Sequence, residues 1–378
     1  MRQQLIDEVA AETDRALLPF LIQHINPGTA QRDTTGSPLT PDLLRRGAEH
    51  GLFRTALPTP TEAYDPPRWG LTLEHLGYRC TDLSLPLLTY LIAGMIRSIR
   101  GRALTDLIDA GPLPLIGFAF TEINDPFDFT SRVTRHGDTL TLDAHKTIVA
   151  GATILDSFVV YARDHHDSHV AVLLHRTDPH VHITPLDVSG FRAAGFGTLT
   201  TTATRIPANR IIDHDGLAHA QEILNTEAAF FAAGPLGRMR AITQSCARHA
   251  LTTSRHGTLL ADYPNVQGLL GRMHARVETA RAALYRALDM LAEADPAWNP
   301  LAWTAKYTIG EAGVQVATAA QRLLGTKGFL RETGVDRYLR DFSGLIAGGN
   351  PQDKLEIELG TDLLNTMTLQ GPTTIMED

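Results

Sequence analysis

The stretch "VQGLLGRMHARVETARAALYRALDMLAEA", residues 266–294, decides the architecture. Its apolar residues return every three or four positions and so share one face of an α-helix, with Arg, His and Glu opposite. Asp295-Pro296 closes it, because proline cannot continue the helical hydrogen-bond ladder. A second long pattern follows in "AWTAKYTIGEAGVQVATAAQRLLGTKG" (302–328) and runs out into glycine. Two such helices in succession must cover their apolar faces on each other or on further helices. The spacing predicts a helical domain over residues 214–378.

Upstream the texture changes. Between 114 and 213 the chain carries short β-rich runs, among them "TLTLDAHKTIV", "SFVVYAR", "HVAVLLH" and "TLTTTATRIP", separated by Gly, Asp and His. Their spacing predicts an antiparallel sheet or small barrel. The tract "DHHDSH" (164–169) has metal-ligand residue types, but it falls between two strands with no fourth ligand placed, so it reads as a turn. "GFG" at 195–197 lacks the strand-then-helix setting of a dinucleotide fingerprint and also reads as a turn. Residues 1–113 are helical again: "PLTPDLLRRGAEHGLF" has Pro41 at a helix start and Gly51 as a stop, and "SLPLLTYLIAGMIRSI" is apolar enough to be buried.

Composition narrows the function. With 378 residues, 43% hydrophobic, 20% charged and a net charge of −8, the chain is an ordinary globular protein without the basic stripe that a nucleic acid would need. Two cysteines far apart, Cys80 and Cys246, exclude a disulfide framework. No segment approaches 18 apolar residues, and the acidic, amphipathic N-terminus is not a secretion signal. A cytoplasmic protein with no membrane span, no metal and no nucleic-acid partner is expected.

Five segments, in order, resemble the acyl-CoA dehydrogenase family: "FAFTEINDPFD" (118–128), "LDAHKTIVAGATILDSFVVYAR" (142–163), "TRIPANRII" (204–212), "NVQGLLGRMHARVETARAALYRA" (265–287) and "LLGTKGFLRETGVDRYLRDF" (323–342). The resemblance implies an α+β multidomain fold: a helical N-domain (1–113), a central β-barrel domain (114–213) and a C-terminal four-helix bundle (214–378), assembled as a homodimer or homotetramer. It implies abstraction of a proton α to a thioester carbonyl, with the β-hydride passing to FAD. Thr121, Ile148, Ala150, Arg255, Arg322 and Gly325 match cofactor-binding positions, Arg255 serving the neighbouring subunit. Ile148 and Ala150 replace a Trp and a Thr of the family, and Thr326 stands where a glycine is usual. FAD is therefore expected to be held weakly or not at all.

The catalytic base should be the Glu of a segment just past the Arg340-Asp341 pair. Here that region reads "RDFSGLIAGGNPQD"; ungapped counting puts Gly349 at the glutamate position, a short gap would put Ala347 or Gly348 there, and on each alignment the glutamate is missing. "LNTEAAFFAAGPLGRMRAI" (224–242) offers a replacement. In isolation this window is a helix start, with Asn225 or Thr226 as cap and Glu227 on the positive end of the helix dipole. Yet Glu227 stands seven residues before Gly234 of "GPLG", the spacing at which isovaleryl-CoA dehydrogenases carry their base. Glu227 is the candidate base, with Phe127, Phe230 and Gly349 as substrate-contact positions. Phe127 and Pro126 replace residues the family sets near the pantetheine arm, which points away from free short-chain acyl-CoA to an acyl thioester on an acyl carrier protein or a bulky biosynthetic intermediate, in secondary metabolism. The degraded flavin positions leave two alternatives: a flavin-independent cyclase, dehydratase or isomerase, and an inactive homologue.

Overall fold

The protein is described by a computed structural model covering residues 2–59, 61–99, 113–123 and 128–370. Helices α1 (Arg2–Phe20), α2 (Thr29–Thr35), α3 (Pro41–Glu49), α4 (Pro66–Arg79) and α5 (Ser84–Ile99) form the N-terminal part. Local chemistry sets their ends. Thr40 caps α3 by accepting from the Leu43 amide, and Asp65 caps α4 by accepting from the Arg68 amide, each with proline at the first helical position.

Strands β1 (Ile116–Ala119), β2 (Arg132–His136), β3 (Thr139–Val149), β4 (Ser157–Arg163), β5 (His169–His175), β6 (Val181–Pro185), β7 (Gly197–Pro207) and β8 (Ile211–Asp213) form one eight-stranded sheet, ordered β6-β7-β3-β2-β4-β5-β8 with β1 on β4. The β1/β4 and β2/β4 pairings are parallel, where the strand spacing predicts antiparallel neighbours throughout. Residues that no periodicity links, Ile116 and Ser157, start the β1/β4 ladder. "DHHDSH" is the turn between β4 and β5: the Asp164 carboxylate accepts the His166 and Ser168 amides at 2.8 and 2.9 Å.

The C-terminal part contains α6 (Gly216–Thr252), α7 (Pro264–Ala292), α8 (Trp298–Leu324), the one-turn α9 (Thr326–Phe329), α10 (Val335–Ala347) and α11 (Gln352–Gln370). A small hairpin, β9 (Ser254–Arg255) with β10 (Thr258–Leu259), joins α6 to α7. Helix α6 corrects the reading of Asn225 and Thr226 as caps. Its cap is Asp215, whose carboxylate accepts the Ala218 amide at 3.0 Å, and Glu227 lies about three turns inside. The dipole acts mainly on the first turn, so it does not explain the acid at 227.

The "GPLG" glycines of α6 have a packing reason. A Cβ on Gly77 of α4 would lie 1.9 Å from the Gly234 carbonyl oxygen, and one on Gly237 would lie 1.8 Å from the Glu74 carbonyl oxygen. The backbones of α4 and α6 therefore touch, and any side chain there would force the helices apart. Trp69 of α4 stacks on Phe230 of α6 with ring centroids 4.0 Å apart, locking the N-terminal helices to the same face.

Candidate active site

Glu227 is half-buried on α6, with Ala228, Phe230 and Phe231 around it in the core. Burial pushes its carboxyl above the ordinary glutamate range, and the charges of Lys306 and Lys354 oppose that shift without cancelling it. Among the described residues no donor hydrogen-bonds the carboxylate. Tyr90, buried on α5, lies in the field of Glu227; burial and that charge hold its hydroxyl protonated far above neutrality.

The structure brings Glu227 and Gly349 together. Gly349 has φ +68°, the left-handed region, and a Cβ placed there would meet Glu227 Oε1 at 2.4 Å. The position where the family's glutamate is expected thus faces the carboxylate supplied from α6, and a side chain there would have to displace that carboxylate. The loop is anchored on both flanks. Lys306, fully buried on α8, donates from Nζ to the carbonyls of Gly348 (2.7 Å) and Asn350. Buried Asn350 donates its amide to the Leu224 carbonyl of α6 at 3.1 Å.

Phe230, expected at the substrate, is core. It is 1% exposed and takes up the stack with Trp69. Phe127 lies outside the described residues. Tyr90, Lys306, Asn350 and Lys354 were not singled out from the sequence. Lys306 carried a legible signal, since it falls in register with Ala302, Ile309 and Gly313 on the apolar face of α8, where an unpaired ammonium would be costly.

The cofactor candidates form two sets. Thr121 is exposed, and its carbonyl accepts the Thr147 amide at 2.9 Å, which ties it beside the exposed Ile148 and half-buried Ala150 at the end of β3. Behind it lies a buried ion pair absent from the sequence reading. Glu122 accepts from Lys146 Nζ (2.6 Å), from the Thr130 amide and hydroxyl, and from the Ser131 hydroxyl. Burial would raise the Glu122 carboxyl, but these donors, Lys146 first, hold it down at about 2. The second set is Arg255 on the β9/β10 hairpin, with Arg322 and Gly325 at the end of α8. Gly325 has φ +60°, and only the Arg255 guanidinium, 3.4 Å away, stands near where its Cβ would be. An open backbone beside a guanidinium suits a phosphate, and a flat apolar edge with a hydroxyl suits a ring, so the two sets fit a flavin dinucleotide.

A cleft of about 330 Å³ opens elsewhere, between α1, α4, α6 and α7. Two of its lining arginines, Arg240 and Arg281, pair at 3.3 Å with buried Glu74 behind the cleft wall, which also takes the Tyr285 hydroxyl. Neither Glu227 nor Gly349 lines it.

Residues 214–354 match the family described as acyl-CoA dehydrogenase, C-terminal domain. That stretch belongs to the acyl-CoA dehydrogenase family. The chain's relatives include the cyclohex-1-ene-1-carbonyl-CoA dehydrogenase of Geobacter metallireducens, 26% identical over 78% of this chain and 82% of the relative. The L-prolyl-[peptidyl-carrier protein] dehydrogenase of Pseudomonas fluorescens is 28% identical over 54% of this chain and 55% of its own length. Among solved structures, the prolyl acyl carrier protein oxidase AnaB superposes with a TM-score of 0.85 at 21% identity, over 96% of this chain and 98% of that one. Butyryl-CoA dehydrogenase from Megasphaera elsdenii gives 0.86 at 19%, over 95% and 98%. The acyl-CoA dehydrogenase fold is therefore complete over nearly the whole chain, and no described helix is long and apolar enough to cross a membrane.

Proposed function

We propose that this protein is an FAD-dependent dehydrogenase of an acyl thioester, with Glu227 as the base that removes the α-proton. The observation that carries the reading is the Glu227–Gly349 juxtaposition: the carboxylate from α6 fills the place that a glutamate on the loop would otherwise take. Its desolvation raises its proton affinity, which suits a base, and no hydrogen bond from a described residue holds its lone pairs. FAD, when bound, supplies the acceptor for the β-hydride. Arg255, Arg322 and the open backbone at Gly325 would hold its phosphates, and Thr121, Ile148 and Ala150 its ring edge. These two sets sit on different domains, and α11 exposes Ile357, Leu363, Leu364 and Met367, so the working form is a homodimer or homotetramer in which one subunit's Arg255 serves its neighbour's site. The substrate is carried by an acyl carrier protein, in cytoplasmic secondary metabolism. The carrier-linked relatives support this, although the prolyl-carrier dehydrogenase aligns over only about half its length.

The test is a panel of short acyl and aminoacyl thioesters, each offered on a carrier protein and on coenzyme A, with an artificial electron acceptor and added FAD. Turnover on carrier-bound thioesters that vanishes without FAD supports the reading. Turnover with no change in redox state would move it to an isomerase or cyclase.

A further inference from the structure

Resting on the reading of Glu227 as the base, we infer that Lys306 is its positioning residue: the ammonium clamps the Gly348–Asn350 loop beside the carboxylate and supplies the charge the carboxylate answers to. Three observations converge. Lys306 is 2% exposed, yet no carboxylate hydrogen-bonds its Nζ; its partners are the two carbonyls that flank Gly349. Gly349 is the residue whose backbone comes so close to Glu227 that a Cβ would strike Oε1. Asn350, the far end of the clamp, reaches the Leu224 carbonyl one turn before Glu227 on α6. Loop, base and lysine are thus one unit, spread over α6, α8 and the α10–α11 connection.

A plainer role competes with this one. Gly348 follows the last residue of α10, and a lysine near a helix C-terminus satisfies free carbonyls wherever it occurs. That role would need only donors at Gly348 and Asn350. The positioning role needs the charge as well. The charged and titratable groups facing Glu227 are Lys306 from α8, Lys354 from α11 and Tyr90 from α5. Lys354 sits at the half-buried rim, 3.4 Å from Asn350 Oδ1, where solvent screens it more than it screens Lys306. Burial lowers the Lys306 ammonium, to about 8 with the attraction of Glu227 opposing the shift, and the Lys306 charge in turn holds the Glu227 carboxyl below where burial alone would put it.

Two variants of the full chain separate the roles. Lys306→Gln keeps a donor for the carbonyls and removes the charge; Lys306→Arg keeps the charge. The primary measurement is the titration midpoint of the Glu227 carboxyl, read from its infrared C=O band with the Glu227→Gln protein as blank. Circular dichroism and melting temperature check the fold, and the acid limb of kcat/KM is followed in parallel. Lys306→Gln should raise the midpoint by about one to three pH units, the usual effect of losing an opposite charge at short range. Lys306→Arg should return it close to the parent's. A folded Lys306→Gln protein with an unmoved midpoint overturns the inference and leaves Lys306 a helix cap. The base reading fails separately: near-native turnover in Glu227→Gln removes Glu227 from the chemistry while leaving the infrared shift intact. If Lys306→Gln does not fold, Lys306→Arg decides, since an arginine variant that folds with a midpoint far from the parent's contradicts the charge argument.

Discussion

Replacing Glu227 by Gln keeps the side chain's size and its place beside Gly349 but removes the lone pair that accepts a proton. General-base catalysis contributes roughly 10² to 10⁴ in rate, so turnover should fall by that factor, equivalent to ~3–5 kcal/mol of barrier. Stability should move the other way. Burial holds the folded-state carboxyl above its ordinary value even against Lys306 and Lys354. A carboxyl raised in this way favours the fold while protonated, and that contribution fades as pH rises through the folded-state value. Once ionised, the buried Glu227 works against folding, so the neutral Gln should melt at the same temperature or higher. A helix-start acid would behave oppositely, losing ~0.3–1 kcal/mol of stability with activity intact. The assay pairs turnover on a carrier-bound thioester with a melting curve at pH 7 and pH 5. Near-native turnover would refute the base assignment, and a melting point several degrees lower at pH 7 would refute the burial argument behind it.

Removing Lys146 strands the Glu122 carboxylate in the sheet, so Lys146→Met should cost about 3–5 kcal/mol in a denaturant titration. Because the Glu122 carboxyl is held down at about 2, its contribution is present above the ordinary value of 4.5 and lost as pH falls towards 2; the parent should weaken across that window and the variant should not. FAD should bind in a fluorescence titration but be partly lost on purification, and Arg255→Ala should weaken it about 10- to 100-fold, the worth of one charge-assisted hydrogen bond; an unchanged affinity would remove Arg255 from the site. Light scattering should show a dimer or larger, and Ile357→Glu with Leu364→Glu, both on the exposed face of α11, should shift it towards monomer.

The start of α3 could be read from Pro41, because the first turn is local chemistry, whereas α8 stops at Leu324 beside Gly325, short of the glycine at 328 where its pattern runs out. The start of α6 was misplaced because Asn225 and Thr226 have cap chemistry too; what excludes them is the helical backbone continuing from Asp215, a tertiary outcome supported by packing on α4. The parallel pairing of β1 with β4 joins segments about forty residues apart, and a period-two pattern holds no information on strand partners. Spacing against the family singles out Glu227 and Gly349, and the fold sets these two candidates side by side. Phe230 looks from the sequence like an aromatic beside a candidate base, whereas its stack on Trp69 of α4 is a tertiary contact that no local pattern gives. Lys306 was visible as a cation on an apolar face, but its carbonyl partners come from a loop that no helical pattern can position.

The 37-residue rod of α6 changes what kind of sequence drift this protein tolerates. A base carried on a loop can survive an inserted or deleted neighbour, because a loop absorbs the extra length. A base mounted in mid-helix cannot. One residue gained or lost between Glu227 and Gly234 would rotate the carboxylate by about 100° relative to the glycines that key α6 onto α4, carrying it off Gly349 altogether. Descendants of this chain can therefore vary freely in the turn after β4 or in the Pro38–Thr40 approach to α3, but the seven-residue interval from 227 to 234 should be inherited as a fixed length.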